Sequence, residues 1–133
     1  MRSLRFISLL FLSFILSGCY EGYLSSPEAN VLLTYLNPES LKALTENPVE
    51  NIIIIDVRPA SNYADGHIPT ALSFPSSEVM DRYQEIPLDK LVIVYCETGG
   101  RAQAVIRMLE SKGYKLLMNW GGYTRWKWEL VKD

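Results

Sequence analysis

Two short runs of the chain are apolar at every position: Ile52-Ile53-Ile54-Ile55 and Leu91-Val92-Ile93-Val94-Tyr95. Neither alternates with polar residues, which is the pattern of central strands covered on both faces. Around them the apolar positions fall at helical spacing. Arg101–Lys112 places Ala104, Val105, Met108 and Leu109 on one face, and Lys112-Gly113 supplies a stop. Asn37-Pro38-Glu39-Ser40 reads as a helix start with Asn37 as N-cap, and Asn47-Pro48 ends that helix near Glu46. A short turn or helix around Ser61–Ala64 leads to Gly66-His67-Ile68-Pro69. Ala71-Leu72-Ser73-Phe74 predicts a short strand ended by Pro75. Ser76 or Ser77 then caps a helix through about Gln84, with Glu78 and Asp81 in its early turns. Lys115–Met118 predicts a last strand, Gly121-Gly122 a turn, and Tyr123–Lys132 a final helix carrying Trp126 and Leu130. Strands alternating with helices predict an α/β fold, with a central mostly parallel sheet and helices on both faces.

The first residues follow a different pattern. Arg2 and Arg5 precede an apolar stretch, Phe6–Leu16, interrupted only by Ser8 and Ser13. It is too short to span a bilayer and reads as an export signal. It ends in Leu16-Ser17-Gly18-Cys19, which resembles a bacterial lipobox. That resemblance implies a signal peptide over residues 1–18, lipidation at Cys19, a tether over 19–36 and a domain over 37–133. Within the tether, Gly22, Ser25, Ser26 and Pro27 suit an extended linker, and Val31-Leu32-Leu33 stand where packing could begin. The implied location is the bacterial cell envelope, anchored on the periplasmic side. Neither Tyr20 nor Glu21 is the aspartate of inner-membrane retention, so an outer membrane is favoured where one exists.

Processing changes the charge. The full chain of 133 residues has 13 Lys+Arg against 15 Asp+Glu, a net charge of −2; losing Arg2 and Arg5 takes it to −4 over 115 residues, enough for one domain. No basic run or basic-aromatic stripe is present, so nucleic acid is not an expected partner. With two cysteines in the chain and Cys19 acylated, Cys96 is left as a lone thiol without a disulfide partner. The absence of CxxC and the presence of a single histidine argue against a cysteine/histidine metal site, and no cofactor is expected.

Chemistry is concentrated in Cys96-Glu97-Thr98-Gly99-Gly100-Arg101, which follows the second apolar run. A buried strand ends in a cysteine, a glycine-containing loop follows, and a helix begins. Sites in parallel α/β sheets form beyond the carboxyl ends of the strands. Glycines at 99 and 100 let backbone amides face a bound anion, and the helix N-terminus favours negative charge there. Such surroundings stabilise a thiolate without a neighbouring histidine base. A buried core cysteine is the structural alternative, which this position disfavours.

Four stretches together resemble the single-domain rhodaneses, a family of sulfurtransferases: Ile55-Asp56-Val57-Arg58, Gly66-His67-Ile68-Pro69, Val94-Tyr95-Cys96 with its loop to Arg101, and Trp120-Gly121-Gly122-Tyr123 with Trp126. They cover about residues 38–130 in the family's order. The resemblance implies a rhodanese-like fold and a Cys96 nucleophile. Cys96 would take a sulfane sulfur from thiosulfate, a polysulfide or a protein persulfide, hold it as a persulfide, and pass it to a thiol or cyanide. The amides of 97–101 would stabilise the persulfide anion, and Arg101 would close the loop. Asp56 and Arg58 would support the loops beside the site, and His67 would hydrogen-bond a turn. Trp120, Trp126 and Trp128 would form core or pocket wall. Related phosphatases of the fold carry a loop one residue longer, so phosphatase chemistry is the lesser enzymatic alternative. Members without the cysteine serve as binding modules, so a non-enzymatic binding or redox-sensing role is the second reading. Retention of Cys96 and a complete loop favours the enzyme.

Three positions depart from the family pattern. Asn62 stands where many members have a glutamate that pairs with the position of Arg58, leaving Asp65 as a substitute partner or Arg58 freer. Thr70 replaces a frequent glycine, from which a turn avoiding positive φ is expected. Glu97 places a carboxylate beside the nucleophile, where it opposes an anionic donor.

Overall fold

The computed structural model describes residues 27–133. Its four strands, β1 (Ile52–Asp56), β2 (Leu72–Ser73), β3 (Leu91–Cys96) and β4 (Leu117–Gly122), form one sheet in the order β2-β1-β3-β4. All three pairings are parallel. The helices are α1 (Pro27–Thr34), α2 (Pro38–Glu46), α3 (Ala60–Asp65), α4 (Val79–Arg82) and α5 (Gly100–Ser111).

The unbroken apolar runs have a direct structural reason. In β3, Val92, Val94 and Cys96 face one core, which takes in Val79 of α4 and Ala102, Val105, Ile106 and Leu109 of α5. The alternate residues Leu91, Ile93 and Tyr95 face the opposite core, with Leu32 of α1 and Leu41 and Leu44 of α2. Both faces are covered, so neither set can be polar.

The order of the strands also locates a crevice. The chain leaves β1 toward β2 on one side and leaves β3 through α5 toward β4 on the other. β1 and β3 are neighbours, so the loops beyond their carboxyl ends diverge. Such a switch point is where open α/β sheets bind ligands.

Local signals hold at α2. The Asn37 side chain accepts from the amides of Glu39 at 2.9 Å and Ser40 at 3.3 Å, with Pro38 at the first helical position.

Elsewhere the structure corrects the expectation. Pro27–Thr34 is helical rather than an extended tether, and Leu32 is buried in the core while Val31 and Leu33 are exposed. Neither Ser76 nor Ser77 caps α4. The Ser76 amide is committed to the Val57 carbonyl at 3.0 Å, the helix starts at Val79 without a side-chain cap, and the last turn, Tyr83–Glu85, is 3-10. The buried face of α5 is Ala102, Val105, Ile106 and Leu109, rotated from the expected one; Ala104 is exposed. The last strand runs to Gly122, so Gly121 and Gly122 are ladder residues and not a turn.

The final helix is absent beyond one 3-10 turn, Tyr123–Arg125. Leu130 and Val131 instead belong to an extended strap that bridges His67, with Val131 N–H to His67 O at 2.9 Å and His67 N–H to Val131 O at 3.0 Å. Helical periodicity of Trp126 and Leu130 is present in the sequence, but tertiary pairing overrides it.

Thr70 takes φ +69°, against the expectation that its turn avoids positive φ. Ala71 N–H donates to Ile68 O at 3.1 Å, with Pro69 and Thr70 as the central residues. Proline followed by a left-handed residue fits a type II turn, whose third position requires positive φ.

Candidate active site

The nucleophile candidate stands where β3 ends. Cys96 is 1% exposed, recessed beneath the loop that follows it. The Gly99 N–H donates to Cys96 Sγ at 3.0 Å. Gly99 has φ +102°, a left-handed conformation suited to glycine, and it turns the chain into the first turn of α5. Among the described residues no protein acceptor takes the amides of Thr98, Gly100, Arg101 or Ala102. The thiol therefore stands at a helix N-terminus beside a loop cradle of unpaired donors, an arrangement suited to an anion.

Four other sequence-derived candidates on this cradle are exposed: Glu97, Thr98, Gly100 and Arg101. Neither Glu97 nor Arg101 forms a salt bridge among the described residues. Glu97 is nonetheless close enough to Arg58 to add to the attraction on its guanidinium.

Arg58 itself is engaged inward. It is 3% exposed, and its Nη2 donates to Asp56 Oδ2 at 2.7 Å and to the Gly66 carbonyl at 2.7 Å. Its Nε and its backbone N–H also reach Asp56, at 3.1 and 2.9 Å. Tyr95 O–H donates to the same carboxylate at 2.8 Å and accepts from Ile68 N–H at 3.1 Å. Burial works against the Arg58 charge, but the hydrogen bonds and attraction of Asp56 outweigh it and raise its pKa above the ordinary value. Burial first, and Asp56 next, push the Tyr95 phenol far up, so it stays a donor. Asn62 and Asp65 take no part: Asp56 and the Gly66 carbonyl are the partners of Arg58.

His67 is 2% exposed and stacks on Tyr63 with ring centroids 3.7 Å apart. Its Nδ1 lies 2.9 Å from the Tyr63 carbonyl and its Nε2 3.3 Å from Asp133. Trp120 and Trp126 are buried; Trp128 is half-buried and meets Trp126 edge-on at 4.9 Å. Cys19, the predicted lipidation site, and the predicted signal peptide lie outside the described residues.

The supports of the cradle come from β4, and sequence reasoning missed two of them. Between the pairs Val94–Asn119 and Tyr95–Gly121 the register slips by one residue, leaving Trp120 as the extra residue of a bulge. Asn119 Nδ2 donates to the Gly99 carbonyl at 3.0 Å, and its Oδ1 accepts from Gly121 N–H at 2.9 Å. Gly122 lies so close to the loop that a Cβ there would stand 2.2 Å from the Glu97 carbonyl oxygen. The available signal was the Asx-x-Gly spacing of Asn119-Trp120-Gly121, a turn pattern. Its contact with Gly99 spans 20 residues and no local pattern contains it.

Comparison with known proteins agrees with this geometry. The Rhodanese-like domain family matches residues 37–129. A sulfurtransferase of Allochromatium vinosum is 35% identical over 78 residues, covering 58% of this chain and 73% of that protein. The thiosulfate sulfurtransferase GlpE of Coxiella burnetii is 32% identical over 78 residues, covering 58% and 73%. Among solved structures, a rhodanese-like domain protein of Staphylococcus aureus aligns with a TM-score of 0.63 at 26% identity, over 72% of this chain and 94% of that one. A rhodanese from E. coli solved with anions aligns at a TM-score of 0.56 and 28% identity, over 62% and 99%. A matched family extent of this length, on a parallel sheet whose switch point holds a cysteine in an amide cradle, places the chain in the rhodanese-like domain family.

Proposed function

We propose that this chain is a sulfurtransferase that works through a persulfide on Cys96. The observation that carries the reading is Cys96 Sγ at the carboxyl end of β3, bonded by Gly99 N–H in a loop whose following amides have no protein acceptor among the described residues. The names of the relatives, sulfurtransferase and thiosulfate sulfurtransferase, support the same chemistry.

With thiosulfate as donor, the Cys96 thiolate attacks the outer sulfur. A Cys96 S–S bond forms, the S–S bond of thiosulfate breaks, and sulfite leaves with the electron pair. Cyanide or a thiolate then attacks the outer sulfur of the persulfide and regenerates the Cys96 thiolate. In both half-reactions charge moves on or off the outer sulfur. Amides preset toward that position stabilise it without reorganising.

Glu97 bears on the choice of donor. It is the exposed carboxylate next to the nucleophile, and the guanidinium near it, Arg58, is already neutralised by Asp56. The Glu97 carboxylate opposes a dianion such as thiosulfate relative to a neutral donor or a protein persulfide, and exposed Arg101 is the positive charge on the same loop. Glu97→Gln is expected to lower the KM for thiosulfate about threefold to tenfold, roughly the effect of one unscreened like charge at short range. Equal KM values in steady-state assays of the two proteins would count against it.

The expected setting is the periplasmic face of a bacterial envelope, with the chain anchored through acylated Cys19. Metabolic labelling of the full chain with palmitate tests this: label is expected in the wild type and lost in Cys19→Ala. Label present in both, or in neither, would overturn the anchor.

The test of the main reading is the intact mass of the purified protein after incubation with thiosulfate or polysulfide. A gain of one sulfur is expected, absent in Cys96→Ser and removed by cyanide. No gain with any donor would leave a binding or redox-sensing module instead.

A further inference from the structure

We infer that Asn119 is a positioning residue for the persulfide site: its side-chain amide holds the Gly99–Gly100 peptide so that the Gly100 N–H faces the outer sulfur. This rests on the sulfurtransferase reading above, and it concerns a residue outside the Cys96–Arg101 loop.

The geometry begins with the hydrogen-bond types. Asn119 meets one donor, Gly121 N–H at 2.9 Å, and two acceptors, Gly99 O at 3.0 Å and Gln103 Oε1 at 3.3 Å. An amide has one acceptor oxygen and one nitrogen with two donors, so only one orientation satisfies all three contacts. The two backbone partners, Gly121 N–H and Gly99 O, fix which way the amide of Asn119 points, and Gln103 Oε1 accepts its second N–H.

The consequence lies one peptide away. No peptide bond of the described residues is cis, so the C=O of Gly99 and the N–H of Gly100 point in opposite directions. The Gly99 carbonyl is held by two donors: Asn119 Nδ2, and Gln103 N–H at 3.0 Å in the first turn of α5. The Gly100 N–H therefore projects out of the helix N-terminus, on the side of Cys96. The residue before it, Gly99, has no Cβ to restrict rotation of that peptide, and it sits at φ +102°. The helical bond alone leaves the peptide free to rock; the bond from β4 is lateral and removes that freedom. The same Asn119 maintains the bulge at Trp120 through Gly121, so strand and cradle share one side chain.

Asn119→Ser separates these two roles. A serine hydroxyl can still accept from the N–H two residues on, which keeps the turn to Gly121, but it is too short to reach the Gly99 carbonyl. Asn119→Ala removes both contacts and serves as the comparison. Two readouts on the full chain apply. The first is the rate at which Cys96 gains one sulfur, followed by mass. The second needs no turnover: the rates at which iodoacetate and iodoacetamide alkylate Cys96, measured on the peptide that contains it. Both form a bond from Sγ to the CH2 carbon and release iodide, but only iodoacetate is an anion.

In Asn119→Ser the sulfur gain is expected to slow about tenfold, less than the loss of a whole oxyanion donor. The iodoacetate-to-iodoacetamide ratio is expected to fall roughly two- to fivefold, the scale of a helix-terminal partial charge. A structural loosening would slow or speed both reagents alike. An unchanged ratio in both variants would overturn the inference. If the wild type gains no sulfur from any donor, the sulfurtransferase reading falls, while the alkylation ratio still decides whether Asn119 sets the field at Cys96.

Discussion

Gly122 shows how little space the site leaves. Cys96 and Gly122 face each other across the β3–β4 ladder, and the Glu97 carbonyl lies where a side chain of residue 122 would begin. A Cβ at 2.2 Å from a backbone oxygen must displace the loop that carries the cradle. Gly122→Ala is expected to cut the rate of sulfur gain at Cys96 by at least about tenfold, since misplacing the amides by a fraction of an ångström removes most of their benefit. A rate within twofold of the wild type by intact mass would show that the loop tolerates the shift. Thr70 is the opposite case, a side chain where glycine would be easier. Its φ of +69° costs a non-glycine residue about 1–2 kcal/mol, against about 0.5–1 kcal/mol of extra chain entropy for glycine. Thr70→Gly is thus expected to stabilise the protein by up to about 1 kcal/mol in urea denaturation; a loss of stability would mean that the threonine side chain contributes more than its backbone strain.

At the scale of elements, α1 is the one whose role differs most from its sequence pattern. Among its residues of described burial only Leu32 is buried, between exposed Val31 and Leu33, and no helical stripe announces it. Its C-terminal turn is tied down from afar: Trp120 Nε1 donates to the Tyr35 carbonyl at 2.8 Å, and Arg125 Nη2 to the Leu36 carbonyl at 2.6 Å. These bonds join α1 to β4 and the 3-10 turn after it, the strand that supports the cradle. Leu32→Ala is expected to cost about 2–4 kcal/mol, the usual range for a buried leucine, and to be seen as a lower urea midpoint. A cost below about 0.5 kcal/mol would mean that the core closes without α1. By contrast α2, with its cap and proline, and β1 and β3, with their unbroken apolar runs, were legible from sequence because local rules decide them.

Over the whole molecule, buried polar groups link the two loops of the switch point. Asp56 at the end of β1 binds Arg58, and Tyr95 at the end of β3 binds the same carboxylate, one residue before the nucleophile. The phenols in this part of the fold also shape its response to alkali. Burial first, and the neighbouring Asp133 carboxylate second, push Tyr63 up to about 12, and Tyr95 shifts the same way. An unfolded tyrosine ionises near 10. The neutral phenol is favoured in the folded state, so this stabilisation is complete below pH 10 and is lost as pH rises from 10 through about 12. Urea midpoints are expected to fall across that window, less steeply in Tyr63→Phe than in the wild type. Parallel slopes would place the alkaline sensitivity elsewhere.

What the sequence determined by itself is what depends on neighbours along the chain. Hydrophobic runs, a capped helix start and a strand–cysteine–glycine–helix order specified an α/β sheet and the place of Cys96, because burial and backbone conformation impose those residues locally. Only the tertiary structure decided the rest. The strap through Val131, the helix at Pro27–Thr34 and the Asn119 clamp on Gly99 all arise from contacts whose partners are set by the packed sheet. Those free energies appear only when distant segments meet, and no periodicity along the chain encodes them.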